Sequence, residues 1–495
     1  MITYSPVRVH AAWKRGAIAQ ARTAKELASS ANINKVISVV CCLSILVPFC
    51  ISILYVYLFG VNVFFADEWD FVVPLRRLYR DTLSIADLFA HHNEHIYFLP
   101  YTVMLLSGTI TDYNTVPLMY LVQVCIFVTS VSLFLAFRKS FEDRHSLLLF
   151  IPIPFLLFSL RQHENMLWGN QITFAFAQTF SVLALYFLHN SRNGNVKKAS
   201  LLAASVSAAA ASFSAVQGLL VWPAGLLQLL ITPIGGSAKK LAVGSWSLIG
   251  LGIWVFYFIG YEKPKSTPPL LFVFDHPLTG ISYFFTLLGG SLFWDDSLAL
   301  GGGLLLACLA IVGMLLIYRG EKVQENSFWL TLLVFSFLSL TLITVGRSGF
   351  PEEQAFAQAL ASRFSIFSIL AVVSLYTMFA KLALERRSHV ITALLGVMLG
   401  VMLVSIPASY MAGMEAGAAT KTYRERAAYI LATYKTQPDA ALVAFGHDPE
   451  RVRKYARILD RLDYNVFAER PQDATARTLA ETSSAAKTTH TTTQP

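Results

Sequence analysis

The chain has 495 residues, of which 55% are hydrophobic and only 14% charged, with a formal net charge of +9. Its mean hydropathy of +0.54 lies beyond that of an ordinary soluble domain, and apolar runs of membrane-spanning length recur along most of it. The basic surplus sits in short patches between those runs, which excludes a nucleic-acid groove and matches the charge bias of a polytopic helical membrane protein.

A basic, alanine-rich tail, 1–35, leads into an apolar run at 36–60. That run is too long for the core of a cleaved signal and no small-x-small site follows it, so it reads as a signal anchor. Further spans are predicted at 115–137, 146–160, 171–189, 199–214, 216–231, 241–260, 299–318, 327–345, 365–383 and 389–408, about eleven in all. Two shorter apolar pieces, 96–110 and 278–293, read as interfacial or re-entrant. The five cysteines all fall in apolar runs and imply no disulfide framework. The fold class is thus an all-α polytopic membrane protein, with a transmembrane domain over 36–408 and interfacial helices in its first outer loop. Beyond it, 409–470 reads as a small helical appendage, and the Ala/Ser/Thr-rich stretch from 471 has too few apolar residues to fold.

The linkers sort into two sets. One carries Arg138, Lys139 and Arg144; Arg192, Lys197 and Lys198; Lys239 and Lys240; Arg319 and Lys322; Lys381, Arg386 and Arg387. With the N-terminal tail these define the cytoplasmic side. The alternate linkers, 61–114, 161–171, 261–298, 346–364 and the segment after 408, hold the acidic, histidine and aromatic residues. The expected topology therefore has the N-terminus cytoplasmic and the C-terminus extracytoplasmic, with function facing out.

The outward segments carry the chemistry. Asp67, Glu68 and Asp70 follow the first span directly; such carboxylates deprotonate a hydroxyl, hold a divalent cation beside a phosphate, or simply cap a solvated helix. In "HHNEH", 91–95, a helix would put His91 and His95 on one face with Glu94 nearby, a possible zinc set. The alternatives are contact with a polar substrate, through His92, Asn93, Glu94 and His95, or plain solvation of the loop. In "RQHENMLWGNQITF", Arg161 and Glu164 have helical pairing distance and Trp168 suits an interface. Yet Asn165 and Gln171 beside them supply the amides and aromatic plane that a carbohydrate needs. Arg347 and Arg363 flank the next outer loop, where an arginine either grips a phosphate bidentately or anchors to headgroups.

Taken with "ADEWD", "HNEH", "ENMLWGNQ", "SAVQGLLVWPAG" and "GR…SRF", the architecture of 36–408 resembles the GT-C superfamily of integral-membrane glycosyltransferases. It is most similar to a group of bacterial members of this general type. The resemblance implies a plasma (inner) membrane enzyme that moves a sugar from a polyprenyl-phosphate donor to a glycan, lipid or protein acceptor. It places Asp67 and Glu68 where the superfamily's catalytic carboxylates sit. Asp67 would take the acceptor proton, Glu68 would orient the acceptor or help hold a divalent cation, and Arg347 or Arg363 would meet the donor phosphate. The chain departs from better-studied families in lacking a large folded outer domain. It also lacks a WWD-type motif, which argues against peptide-sequon glycosylation. A lipid or polysaccharide-precursor flippase and a metal-dependent membrane hydrolase are the alternative classes.

Overall fold

In the computed structural model the described residues are 6–190, 197–264, 267–351 and 358–468, with side chains from residue 33 onward. The ending read as unfolded, from 471, lies outside them. Among the described residues nine helices are long and apolar enough to cross a membrane, from Ile33–Phe59 to His389–Ala432. Two segments read as spans form shorter helices, Lys198–Ser212 of 15 residues and Val216–Ile231. Nine long helices and this short pair thus account for the eleven expected. The chain is a multi-pass membrane protein.

Burial ranks the spans. Ser362–Arg386 is buried along its whole apolar window, whereas the windows of Gly236–Phe258 and His389–Ala432 are only 22% buried. The first is the centre of the bundle, and the other two turn apolar side chains such as Leu248 and Val404 outward, as a lipid-facing helix does. The short helix Pro277–Gly289 packs on Asp296–Arg319 backbone to backbone. A Cβ at Gly303 would stand 1.8 Å from the Phe285 carbonyl oxygen, and one at Gly289 1.9 Å from that of Ala299. Only glycine permits that approach.

Three departures from regular helices shape the end that carries the acidic loop. The span His145–Leu167 is broken: a 3₁₀ turn, the helix Pro152–Leu157, a second 3₁₀ turn and the helix His163–Leu167 follow one another. "HHNEH" is a tight antiparallel hairpin pairing His91 with Ile96 and His92 with His95. The last span does not stop at 408 but runs unbroken for 44 residues, His389–Ala432, through Pro407. Its extension and the segment around the helix Pro449–Leu462 fold onto the loop 61–114 and the end of the first span. The Asn465 amide donates to the Asp112 carbonyl at 2.7 Å, and Lys421 to that of Leu58 at 3.0 Å. The basic linkers gather at the other end, where Lys381 meets the Glu325 carboxylate at 3.3 Å and Trp329 donates to Ser140 at 2.9 Å.

Candidate active site at the acidic-loop end

The acidic segment is presented by a kink. Phe65 is extended, Ala66 adopts φ 46°, and Ala66–Phe71 forms a 3₁₀ turn. This turn leaves Asp67 exposed and buries Glu68 and Trp69. Glu68 spends both oxygens on backbone: Oε2 accepts from the Phe65 amide at 2.9 Å and Oε1 from the Asn170 amide at 3.1 Å. Gly169 allows the approach, since a Cβ there would meet Glu68 Oε1 at 3.0 Å. Burial pushes the Glu68 carboxyl up to about 7, against the opposing pull of Arg424 and the two amides. The adjacent carboxylates thus divide into a buried brace, Glu68, and an exposed base candidate, Asp67.

The histidine cluster is not helical, so His91 and His95 share no helix face; Asn93 at φ 52° turns the chain back instead. His91 Nε2 donates to the Tyr257 carbonyl at 2.8 Å, and His95 Nδ1 accepts from the Val216 amide at 3.1 Å. That second bond needs a neutral ring, and burial holds His95 down to about 4. The lone pair of His95 is thereby committed to the fold, and with the shared helix face gone this pair does not form the zinc set. Among the described residues no three His, Cys, Asp or Glu side chains gather closely enough to hold a metal. Glu94 faces Arg347, whose Nη2 donates to Oε1 at 3.0 Å. Burial raises the Glu94 carboxyl, but His95, Arg347 and hydrogen bonds outweigh it and leave it below its usual value. His92 Nδ1 lies 3.4 Å from Asp70 Oδ2. The Asp67 charge reaches His92, His95, Tyr97 and Tyr101.

The broken span supplies the second half. Glu164 Oε1 accepts from Arg363 Nη1 at 2.9 Å, while Oε2 accepts from the Arg363 amide at 3.1 Å and the Ser362 hydroxyl at 2.9 Å. Asn165 donates to the Arg363 carbonyl at 3.1 Å. Arg161 is occupied with structure: Nε donates to the Gly290 carbonyl at 3.0 Å and its guanidinium covers the Trp294 ring at 4.5 Å. Trp168 and Gln171 are buried, the Trp168 ring packing edge-on against Phe65 with centroids 5.8 Å apart. The charges of Arg347 and Arg363 both reach the Tyr283 hydroxyl. Beside Arg347 opens an apolar groove of about 670 Å³, lined by Phe272, Leu278, Ile281, Phe285, Leu300 and, next to Arg347 in the chain, Ser348.

Of the residues singled out in the sequence, Asp67, Asp70, His92, Glu94, Glu164, Arg347 and Arg363 meet at this end with partly open side chains. Asn93 is exposed at the hairpin tip. Glu68, His95, Arg161, Asn165, Trp168 and Gln171 are buried supports. Sequence reasoning missed Arg424, His447 and Arg451. Arg424 donates to the Leu167 carbonyl at 2.6 Å and lies over the Phe65 ring at 5.1 Å, between Glu68 and Glu164. The signal was available: Gly413, Gly417, Arg424, Ala427 and Leu431 share one buried face at helical spacing.

No protein-family model matches the chain. An uncharacterised protein of Archaeoglobus fulgidus is 27% identical over 206 residues, covering 39% of this chain and 52% of the relative, so the chain spans about half of that protein's length. Two solved structures are similar. The archaeal oligosaccharyltransferase AglB of Archaeoglobus fulgidus, in complex with an inhibitory peptide and a dolichol-phosphate, aligns with TM-score 0.42 and 14% identity over 84% of this chain and 59% of that one. An Archaeoglobus fulgidus oligosaccharyltransferase with Zn and sulfate aligns with TM-score 0.38 and 13% identity over 83% and 56%. No residue role is carried across from either.

Proposed function

We propose that the chain is a membrane glycosyltransferase of the GT-C type, transferring a sugar from a polyprenyl-phosphate donor to an acceptor hydroxyl on the outward side. The observation that carries this reading is the juxtaposition at one end of the bundle of an exposed carboxylate, two arginines and an apolar groove. Asp67 neighbours the hairpin whose Glu94 holds Arg347, and the next residue after Arg347 lines the groove. A prenyl chain suits the groove, and its phosphate would then sit at the arginines.

In this mechanism Asp67 takes the proton of the acceptor hydroxyl as its oxygen attacks the anomeric carbon. The bond from that carbon to the phosphate oxygen breaks, and the electron pair leaves with the polyprenyl phosphate. Arg347 and Arg363 stabilise the charge that develops there. Glu68 acts by holding the turn that presents Asp67.

The test is turnover of the purified protein with a panel of polyprenyl-phosphate sugars and a hydroxyl-bearing acceptor. The expected result is consumption of one donor class, lost on Asp67→Asn. Wild-type protein that consumes none of them, while remaining folded, would remove the reading.

A further inference from the structure

We infer that the segment 433–468 is a working part of the site, and that His447 is the positioning residue that holds the kink presenting Asp67. This rests on the reading of Asp67 as the base. The kink is costly: Ala66 has φ 46°, a left-handed conformation that a residue with a Cβ adopts at a penalty. Something must hold it. The Ala66 carbonyl accepts a hydrogen bond from His447 Nε2 at 3.1 Å; because the oxygen can only accept, that nitrogen carries the hydrogen.

His447 is itself fixed on both sides. Gly446 before it turns at φ 74°, which glycine adopts freely, and Asp448 after it caps the helix Pro449–Leu462 by accepting from the Arg451 amide at 3.2 Å. The same segment grips the acidic turn at two further points. Phe445 sets its ring 5.4 Å from that of Trp69, and the Arg451 side chain pairs with Asp70. The far end is tied as well: the Asn465 side chain donates to Asn62 Oδ1 at 2.6 Å and to the Tyr113 carbonyl at 3.0 Å. Ala66, Trp69 and Asp70, around Asp67, are thus held by a segment some 380 positions away in the chain (His447 and Ala66 are 381 apart).

The experiment separates a positioning role from loss of folding. His447→Ala should lower kcat about tenfold, the scale of an unsupported left-handed residue, with KM for the donor nearly unchanged. His447→Gln keeps an N–H donor and should retain most activity. Ala66→Gly removes the cost of the left-handed turn, so adding it to His447→Ala should restore kcat. Hydrogen exchange of the 64–71 peptide should rise in His447→Ala and return in both rescued forms, a readout that needs no transferase activity. If exchange follows this pattern but no donor is turned over, the functional reading fails and the positioning role stands. Unchanged exchange in His447→Ala, or a double variant as poor as His447→Ala alone, would overturn the inference.

Discussion

Arg347 and Glu94, 253 positions apart, are joined by a single hydrogen bond of 3.0 Å from Nη2 to Oε1. Both side chains are more than a quarter exposed, so the pair itself adds little stability. Its value lies in placement. It pins the hairpin to the end of the span Ser327–Arg347 and leaves the guanidinium within reach of an incoming anion, which need displace only one carboxylate oxygen.

The two arginines should therefore answer differently to substitution. Arg363 is gripped by Glu164 through both side chain and backbone, whereas Glu94 meets Arg347 through its side chain. If they clamp a donor phosphate, Arg363→Lys should weaken donor affinity roughly tenfold, about the worth of one charge-assisted hydrogen bond. Glu164→Gln should do the same indirectly, by releasing Arg363. Donor binding at matched expression checks both. Lysine variants that bind as wild type, with alanine variants losing only insertion, would reduce the arginines to headgroup anchors.

Asp67 and Asp70 differ in what holds them. Asp70 is paired with Arg451 and faces His92, while Asp67 is exposed. Asp67→Asn should lower turnover by roughly two orders of magnitude, the scale of a lost general base, with donor binding intact. Asp70→Asn should cost less than about tenfold, through the turn it steadies. Equal mild losses in kcat would point to a solvated cap instead.

Glu68 gives stability a pH dependence of a definite sign. Its folded value, about 7, lies above the ordinary carboxylate value of 4.5, so the native state binds more protons than the unfolded chain in between. Its contribution is fully present below pH 4.5 and is lost as pH rises through about 7. The stability difference between wild type and Glu68→Gln should therefore shift by on the order of 3 kcal/mol in favour of the variant across that window. Unfolding in detergent, run on both proteins from pH 4.5 to 7.5, measures it. Parallel curves would show that Glu68 does not titrate there.

The two linker sets predict accessibility. Cysteines placed at Arg80 and Lys454, both exposed at the end that carries the acidic loop, should react together with a membrane-impermeant maleimide on intact cells. One at Lys240, exposed at the other end, should react only after lysis. Labelling of Lys454→Cys with the Lys240→Cys group would invert the topology and the site with it.

The spans were readable because the bilayer imposes length and apolarity on each segment locally. The acidic turn and both arginines were readable for the same reason, since charges stand out against such runs. What escaped detection is non-local. Nothing in "HHNEH" announces that Asn93 turns left-handed and that Val216 and Tyr257 claim two of the histidines. A histidine pair at helical spacing looks identical until the chain's path is known. Glu68 and Asp67 are likewise neighbours in sequence with opposite surroundings, because a 3₁₀ turn points one inward to an amide 102 residues away. Arg424 is the exception, since its place on the face of Gly413, Gly417 and Ala427 was legible, and only its partners, Phe65 and Leu167, were not.

The uninterrupted helix His389–Ala432 has a mechanical consequence. At about 1.5 Å per residue, its 44 residues form a rod some 66 Å long, rooted in lipid and ending beside the acidic turn. Arg424 rides near its tip, and the Lys421 contact with Leu58 makes the rod and the first span move together. Tilting such a rod sweeps its tip by about 1 Å per degree, which exceeds the tolerance of a hydrogen bond. Pro407, where the backbone ladder lacks one rung, is the natural place for that tilt to be absorbed. A bend at that missing rung would let the root of the rod follow its lipid surroundings while Arg424 and the acidic turn keep their places.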